Sequence, residues 1–450
     1  MKTRIDLFGG AGVLALHKLL PALYSLYERQ DLSADSILYA TGPEKLSQEA
    51  YHDMVRAQIA DAMDPGRHLE DFLARVEWVN GDPEHPSLPA GEPCAVHIAY
   101  LAEPTEYDRG IIQSLASMPD AGTLRIMLEK PYGENVEDAA ALHRLLAETF
   151  SEDRLYYVDH YLGMGTIDSI LAMRRSNPLF ESAWDSSHIE SIQISVLETK
   201  GVGSRSDYYD KTGSLLNGIQ GHVLPLLSAL ALEDPFAANI EEQRLSVLAS
   251  LHQVHETKIR DIALLGQYAG YRTKDGISQS STTETFAALR LTLDQGRLKG
   301  VPLLLRSGRK CRNRVAEIAV NFRSEESART DTLVLRYQPS EEIWMELNAG
   351  RPGNSSMVET VRMKHCISSN DHMRINTIEA YEEFFYACMQ ENRRGFSSWA
   401  HIEASWEYVN TIRSAYRNAH LPVYPYEPGT YGPELSDGFA RGISPWRNLD

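Results

Sequence analysis

The sequence predicts an α/β domain on a mainly parallel sheet, followed by an α+β domain on a large, mostly antiparallel sheet. Three observations predict it. Over the first third of the chain, short apolar runs alternate with stretches whose leucines and alanines recur at helical spacing. Gly9-Gly10-Ala11-Gly12 separates the first run from the first helical stretch, and strand, glycines, helix is the opening of a Rossmann coenzyme domain. Beyond about residue 165, strand-like segments take over and helices become few. The expected domains are 1–155 and 156–450.

Residues 4–8 form the first strand, and the helix after the glycines carries Leu19, Leu20, Leu23 and Leu26 at helical spacing. The second strand is expected at 36–40, with helices at 49–63 and 68–76. Residues 95–101 and 124–128 are apolar enough throughout for parallel strands buried on both faces. A helix at 136–150 turns Ala139, Leu142, Leu145 and Leu146 to one side, and 155–158 is the next strand. In the second domain helices are expected at 167–173, 215–232, 377–390 and 401–419, and strands at 189–197, 287–293, 315–322 and 332–337. No internal repeat or low-complexity segment interrupts this order.

With 450 residues, 43% hydrophobic and 24% charged, the composition is that of a globular protein with two ordinary cores. A net charge of −18 without any basic stripe argues against a nucleic-acid partner. Cys94, Cys311, Cys366 and Cys388 have neither Cys-x-x-Cys nor zinc spacing, so they read as thiols of a reducing compartment and no metal is expected. Met1-Lys2-Thr3-Arg4 runs into a segment too short for a signal peptide, and no apolar run approaches a membrane span. The expectation is a cytoplasmic protein without a membrane partner.

Gly10-x-Gly12-x-x-Ala15 fits the fingerprint in which glycines let backbone N–H groups approach a pyrophosphate at the positive end of a helix. The adenine ribose then belongs after the second strand, at Thr41-Gly42-Pro43-Glu44-Lys45. An acid there accepts from the 2′-hydroxyl of NAD, whereas an arginine meets the 2′-phosphate of NADP. No arginine is present, and Glu44 with Lys45 leaves both cofactors open. Glu129-Lys130-Pro131-Tyr132-Gly133 follows the strand at 124–128, at the carboxyl end where such sheets bind ligands. Asp159-His160-Tyr161-Leu162-Gly163 puts an acid, an imidazole and a phenol together after the strand at 155–158. Tyr208-Tyr209-Asp210 leads through Gly213 to a helix bearing Asn217 and His222, and an imidazole suits proton transfer near neutral pH.

These segments together resemble the glucose-6-phosphate dehydrogenase family. Asp159 to Gly163 is similar to the family's Asp-His-Tyr-Leu-Gly-Lys signature, Glu129 to Gly133 to its Glu-Lys-Pro-Phe-Gly segment, and Tyr208 to His222 to its Tyr-Tyr-Asp to Asn-His-Leu segment. Phe8 to Leu23 is similar to its first strand, glycine turn and Leu-Leu-Pro-Ala-Leu-Tyr helix. Gly300-Val301-Pro302, Gln338-Pro339, Ala380-Tyr381-Glu382 and Tyr431-Gly432-Pro433-Glu434 keep the family's order almost to the end.

The resemblance implies oxidation of C1 of a hexose 6-phosphate to the lactone, with hydride passing to NADP or NAD, NADP being the family habit. It implies His222 as general base, Asp159 as the carboxylate on its other ring nitrogen, and Lys130 as a donor to the sugar near the nicotinamide. Cofactor contacts are implied at Gly9, Gly10, Gly12, Lys18, Thr41, Lys45 and Lys130. Substrate contacts are implied at Lys130, His160, Tyr161, Glu198, Asn217, His222, Arg309 and Arg314, and a homodimer or dimer of dimers through the large sheet. Four positions depart from the pattern: Val13 and Asn217 replace aspartates, Met164 the signature lysine and Gly165 a common glutamate. Removing one partner of a buried charge pair costs about 2–5 kcal/mol. Glucose 6-phosphate should therefore bind weakly unless Arg309 or Arg314 compensates. The alternative is the same chemistry on a different sugar.

Overall fold

The computed structural model describes residues 2–82, 86, 88–89, 94–133, 135–163, 165–203, 206–324, 330–351, 354–366 and 378–449. The chain forms two compact units, Met1–Gly163 with Asn376–Trp399, and Met164–Ile375 with Ala400–Asp450.

In the first unit, β1 (Thr3–Phe8), β2 (Ile37–Gly42), β3 (Val76–Asn80), β4 (Val96–Leu101), β5 (Arg125–Leu128) and β6 (Leu155–Val158) pair in parallel. Their spatial order is β6-β5-β4-β1-β2-β3, with the two-residue strand Phe396–Ser397 antiparallel at the β6 edge. β1 and β4 are buried at every position, as strands covered on both faces must be. The order reverses between β1 and β4, and a ligand crevice opens at the carboxyl ends of strands flanking such a switch point. Residue 76, expected to end a helix, instead starts β3, because Val76 and Trp78 alternate inward with exposed Glu77 between them. A further helix, Asp108–Ala116, buries Ile111, Ile112 and Leu115.

The helix Ile378–Met389 belongs to this unit, whereas the sequence division placed it in the second. Tyr381, Phe384, Phe385 and Cys388 form one apolar face at helical spacing and join the core around Leu20 and Leu23. The Arg125 guanidinium fixes its far end by donating to the Cys388 and Met389 carbonyls at 2.5 and 2.9 Å.

The second unit is built on β7 (Ile189–Leu197), β8 (Ala263–Tyr268), β9 (Phe286–Leu291), β10 (Leu303–Gly308), β11 (Val315–Phe322), β12 (Thr332–Gln338), β13 (Glu342–Arg351) and β14 (Asn354–Cys366). Their order is β14-β13-β12-β11-β7-β10-β9-β8, and Tyr424–Tyr426 adds a last strand beside β8. β7 with β10, and β8 with Tyr424–Tyr426, run parallel; the other pairs are antiparallel. Among the described residues, no helix is long and apolar enough to cross a membrane.

Both helices that carry candidate residues depart from a regular α-helix. After the glycines, Ala15–Leu19 is a π-helical turn that passes into the α-helix Leu20–Glu28. The stretch expected as one helix at 215–232 is a π-helix, Leu215–Val223, then an α-helix, Leu224–Leu230. Each widened turn runs into a Leu-Pro pair, Leu20-Pro21 and Leu224-Pro225. Proline lacks the N–H of the regular ladder and clashes with the carbonyl four residues earlier, and a wider turn accommodates both defects.

Candidate active site

The glycine turn follows from where the strands end. Gly9 has φ +83°, a left-handed conformation, and the N–H groups of Gly9 and Gly10 both donate to the Thr41 carbonyl, at 3.0 and 2.9 Å. A Cβ on Gly10 would lie 2.6 Å from that of Ala40, so only glycine lets β1 and β2 close here. The Tyr51 hydroxyl donates to the Gly10 carbonyl at 2.8 Å, and the Gly12 N–H donates to the Gly9 carbonyl at 2.9 Å. Gly12 is exposed at the start of the helix and carries no side chain to keep an anion away from the helix N-terminus. These residues fit a dinucleotide pyrophosphate. Of the other expected cofactor residues, Thr41 is buried and ties the turn through its backbone, Lys18 is half-buried in the π turn, and Lys45 is exposed. Val13, 77% exposed, stands at the helix start.

β5 and β6 are parallel neighbours, so the residues that follow them come together. The Lys130 ammonium donates to Asp159 Oδ2 at 2.7 Å, and Asp159 is only 1% exposed. Its Oδ1 accepts from the Tyr161 and Leu162 amides at 3.1 and 3.4 Å, and the Ser397 hydroxyl donates to Oδ2 at 3.4 Å. The Lys130–Pro131 peptide is cis, and the Tyr132 hydroxyl donates to the Val158 carbonyl at 2.9 Å. A second buried cluster lies alongside. Glu129 accepts from the Tyr100 hydroxyl and pairs with His160 Nε2 at 3.5 Å, while the Tyr381 hydroxyl lies 3.3 Å from the same nitrogen. Burial pushes the Glu129 carboxyl up, but the bonds from His160, Tyr100 and Tyr381, with the His160 charge, outweigh it and hold it below the usual range. His160 packs edge-on against Tyr381 and Phe384, its Nδ1 buried with no hydrogen bond among the described residues. Tyr161 is buried at 4% exposure.

In the second unit the large sheet does the positioning. Gly308 at the end of β10 is in register with Leu197 at the end of β7, and Val315 at the start of β11 is in register with the same Leu197. Residues just beyond these points therefore converge: Glu198 pairs with Arg314 at 3.3 Å, and Arg309 follows Gly308 on the adjoining strand. Arg309 donates to Asn217 Oδ1 at 2.9 Å and lies 5.5 Å over the Tyr209 ring. In the π-helix, every residue from Leu215 to Val223 is buried except Asn217 and His222. Five residues apart, these two would lie about 140° apart around a regular α-helix. The five-residue hydrogen-bonded turn brings them to nearly one side.

Glu284 and Arg413, which sequence reasoning missed, hold this helix together with two close-packed glycines. Gly213, φ +66°, sits where a Cβ would strike the Glu284 carboxylate, and Glu284 accepts from the Leu215 amide at 3.0 Å. Arg413 pairs with Glu284 at 3.6 Å and donates to the Thr212 carbonyl. Gly218 lies against the Ser307 side chain of β10, too close for any Cβ. The Leu-Pro pair was the available sequence signal for the widened turn; for the Glu284 anchor there was none. Met164 lies outside the described residues, and Gly165 opens the helix Gly165–Ser176. Among the described residues, no group of three or more histidines, cysteines or acids is placed to hold a metal.

A parallel, doubly wound unit with a dinucleotide turn, and a second unit with arginine and glutamate at its strand ends and asparagine and histidine on the adjoining π-helix, define the architecture of a pyridine-nucleotide oxidoreductase. Residues 7–169 match the model for the glucose-6-phosphate dehydrogenase NAD binding domain, and 171–446 that for the C-terminal domain of the same proteins. The chain belongs to the glucose-6-phosphate dehydrogenase family. It is 30% identical to the glucose-6-phosphate 1-dehydrogenase of Bacillus subtilis, over 97% of this chain and 96% of that protein. A solved glucose-6-phosphate dehydrogenase in complex with glucose 6-phosphate superposes with a TM-score of 0.85 at 25% identity, covering 97% of this chain and 96% of the other. The Mycobacterium avium glucose-6-phosphate 1-dehydrogenase has the same fold, with a TM-score of 0.84 at 24% identity over 99% and 98% of the two chains.

Proposed function

We propose that the protein oxidises the C1 hydroxyl of glucose 6-phosphate to the lactone, the NAD(P)-dependent reaction of the relatives it matches. The observation that carries this reading is the match of both family domains, end to end, over residues 7–446. NAD(P), when bound, supplies the hydride acceptor. The chain's own residues do the rest. His222 takes the C1 hydroxyl proton as hydride departs, and Asp159 is the second catalytic residue that the family resemblance implies. Lys130, already paired with Asp159, donates to the sugar hydroxyl and keeps the two charges balanced. Asn217 and Arg309 bind sugar and phosphate, with Glu198, Arg314, His160 and Tyr161 as further substrate contacts. Gly9, Gly10, Gly12, Lys18, Thr41 and Lys45 hold the cofactor.

The Arg309 guanidinium beside Asn217 supports an anionic substrate despite the change at Met164. The reading on a different sugar is not favoured, since the relatives and the complexed structure above all carry the glucose-6-phosphate name. We further propose a cytoplasmic homodimer or dimer of dimers. Val361 and Met363, 37% and 65% exposed on one face of the edge strand β14, support association through the large sheet. Reduction of NAD or NADP followed at 340 nm with glucose 6-phosphate, glucose and other hexose phosphates tests the activity. Turnover with glucose 6-phosphate supports it; turnover only with another sugar would reverse it.

A further inference from the structure

The carboxyl ends of β1, β2 and β4 stand side by side around the glycine turn, in the order β4-β1-β2. An acid projects on each flank. On the β2 side, Glu44 folds back so that its Oε2 would lie 2.5 Å from a Cβ on Gly42, with the Trp78 ring 3.0 Å from the same point. Trp78 stacks on Tyr51 at 4.5 Å, and Tyr51 holds the Gly10 carbonyl, so Glu44 sits directly beside the turn. On the β4 side, Gly9 lies against the Ala102 carbonyl, with the Glu103 amide 3.3 Å from the position a Cβ would take. Glu103 is half-buried there; burial and then the Glu44 charge push its carboxyl above the usual range, which places the two acids in one field. The one basic side chain of the loop 41–47, Lys45, is exposed.

We propose that the chain selects NAD over NADP, with Glu44 accepting from the adenine-ribose 2′-hydroxyl and Glu103 adding negative potential that repels a 2′-phosphate. This rests on the reading of the glycine turn as an NAD(P) site. The chemistry is a difference of affinities: the free hydroxyl donates to a carboxylate, while a phosphate in the same place meets like charge and finds no arginine anywhere in the loop 41–47 to serve it. Lys45, a hydrated point charge on an exposed stem, offers no fork to replace that arginine.

Calorimetric titration of the purified protein with NAD+ and with NADP+, without sugar, tests this directly. The wild type should bind NAD+ roughly tenfold or more tighter than NADP+. The double variant E44Q/E103Q should narrow that ratio by about tenfold, chiefly through tighter NADP+ binding, and added salt should narrow it in the wild type. Glu44→Gln alone, an exposed change that leaves the fold intact, should move the ratio in the same direction by a smaller factor. NADP+ binding as tightly as NAD+ to the wild type, or a ratio unmoved in both variants, overturns the selection. If neither dinucleotide binds, the reading of the glycine turn falls with it. If NAD+ is selected but glucose 6-phosphate is not oxidised, the selection stands and only the substrate reading fails.

Discussion

Asp159 and His222, the two proposed catalytic residues, are held by different devices. Asp159 is 1% exposed at the end of a buried strand, fixed by an ammonium, two amides and a hydroxyl. His222 is half-buried on a widened helical turn whose other residues, Asn217 excepted, face inward. The first arrangement buys its rigidity with desolvated charge; the second presents a side chain that can be changed without touching a core. Stability and catalysis should therefore separate along this line.

The largest stability effect is expected at the strand ends. Asp159→Ala leaves the Lys130 ammonium, 25% exposed, without its carboxylate, and should cost about 3 kcal/mol in urea denaturation. Lys130→Met in the same chain should recover part of that loss, because an unpaired charge is worse than none. A single variant as stable as the wild type would show that the pair contributes no rigidity.

Acidity divides the buried carboxyls of the same unit. Burial, then the Glu103 charge, pushes Asp108 up to about 7, against about 4 in an unfolded chain. A raised carboxyl pKa gives stability that is complete below pH 4 and is lost as pH rises through about 7. Asp108→Asn should therefore raise the melting temperature at pH 8 and have little effect at pH 4. Glu129 has the opposite sign. Its lowered carboxyl contributes stability above the ordinary glutamate range that is lost as pH falls below it, and Glu129→Gln should flatten that acid limb by a smaller amount. A wild-type acid limb in Glu129→Gln would remove the His160 pairing from the account.

The smallest effect belongs to the open side of the π-helix. Asn217→Asp turns the Arg309 hydrogen bond into a half-exposed ion pair, expected to change stability by under about 1 kcal/mol. Its reading is in substrate affinity, where a change of less than about tenfold for glucose 6-phosphate is expected by calorimetry. A large loss of stability would contradict the division drawn between the two regions.

What could be read in advance follows the same physics. β1, the glycines, β4, β5 and β6 were legible because buried parallel strands are nearly continuous apolar runs, and Lys130 and Asp159 follow directly from the ends of two such runs. The apolar face of Tyr381, Phe384, Phe385 and Cys388 announced a helix but not which core would receive it, since that is decided by contacts more than 300 residues away in sequence, with Leu20 and Leu23. The face shared by Asn217 and His222 was hidden by the assumption of a regular helix. Their five-residue spacing looks wrong for a common face until Pro225 widens the turn before it.

The central claim is that His222 removes the C1 proton of glucose 6-phosphate, and one comparison tests it most directly. Steady-state reduction of NAD by wild type and by His222→Asn, at saturating glucose 6-phosphate and with both melting curves recorded, should show kcat lower by about 10²–10⁴-fold in the variant. Its stability should stay within about 1 kcal/mol of the wild type. Equal turnover in the two proteins would contradict the account.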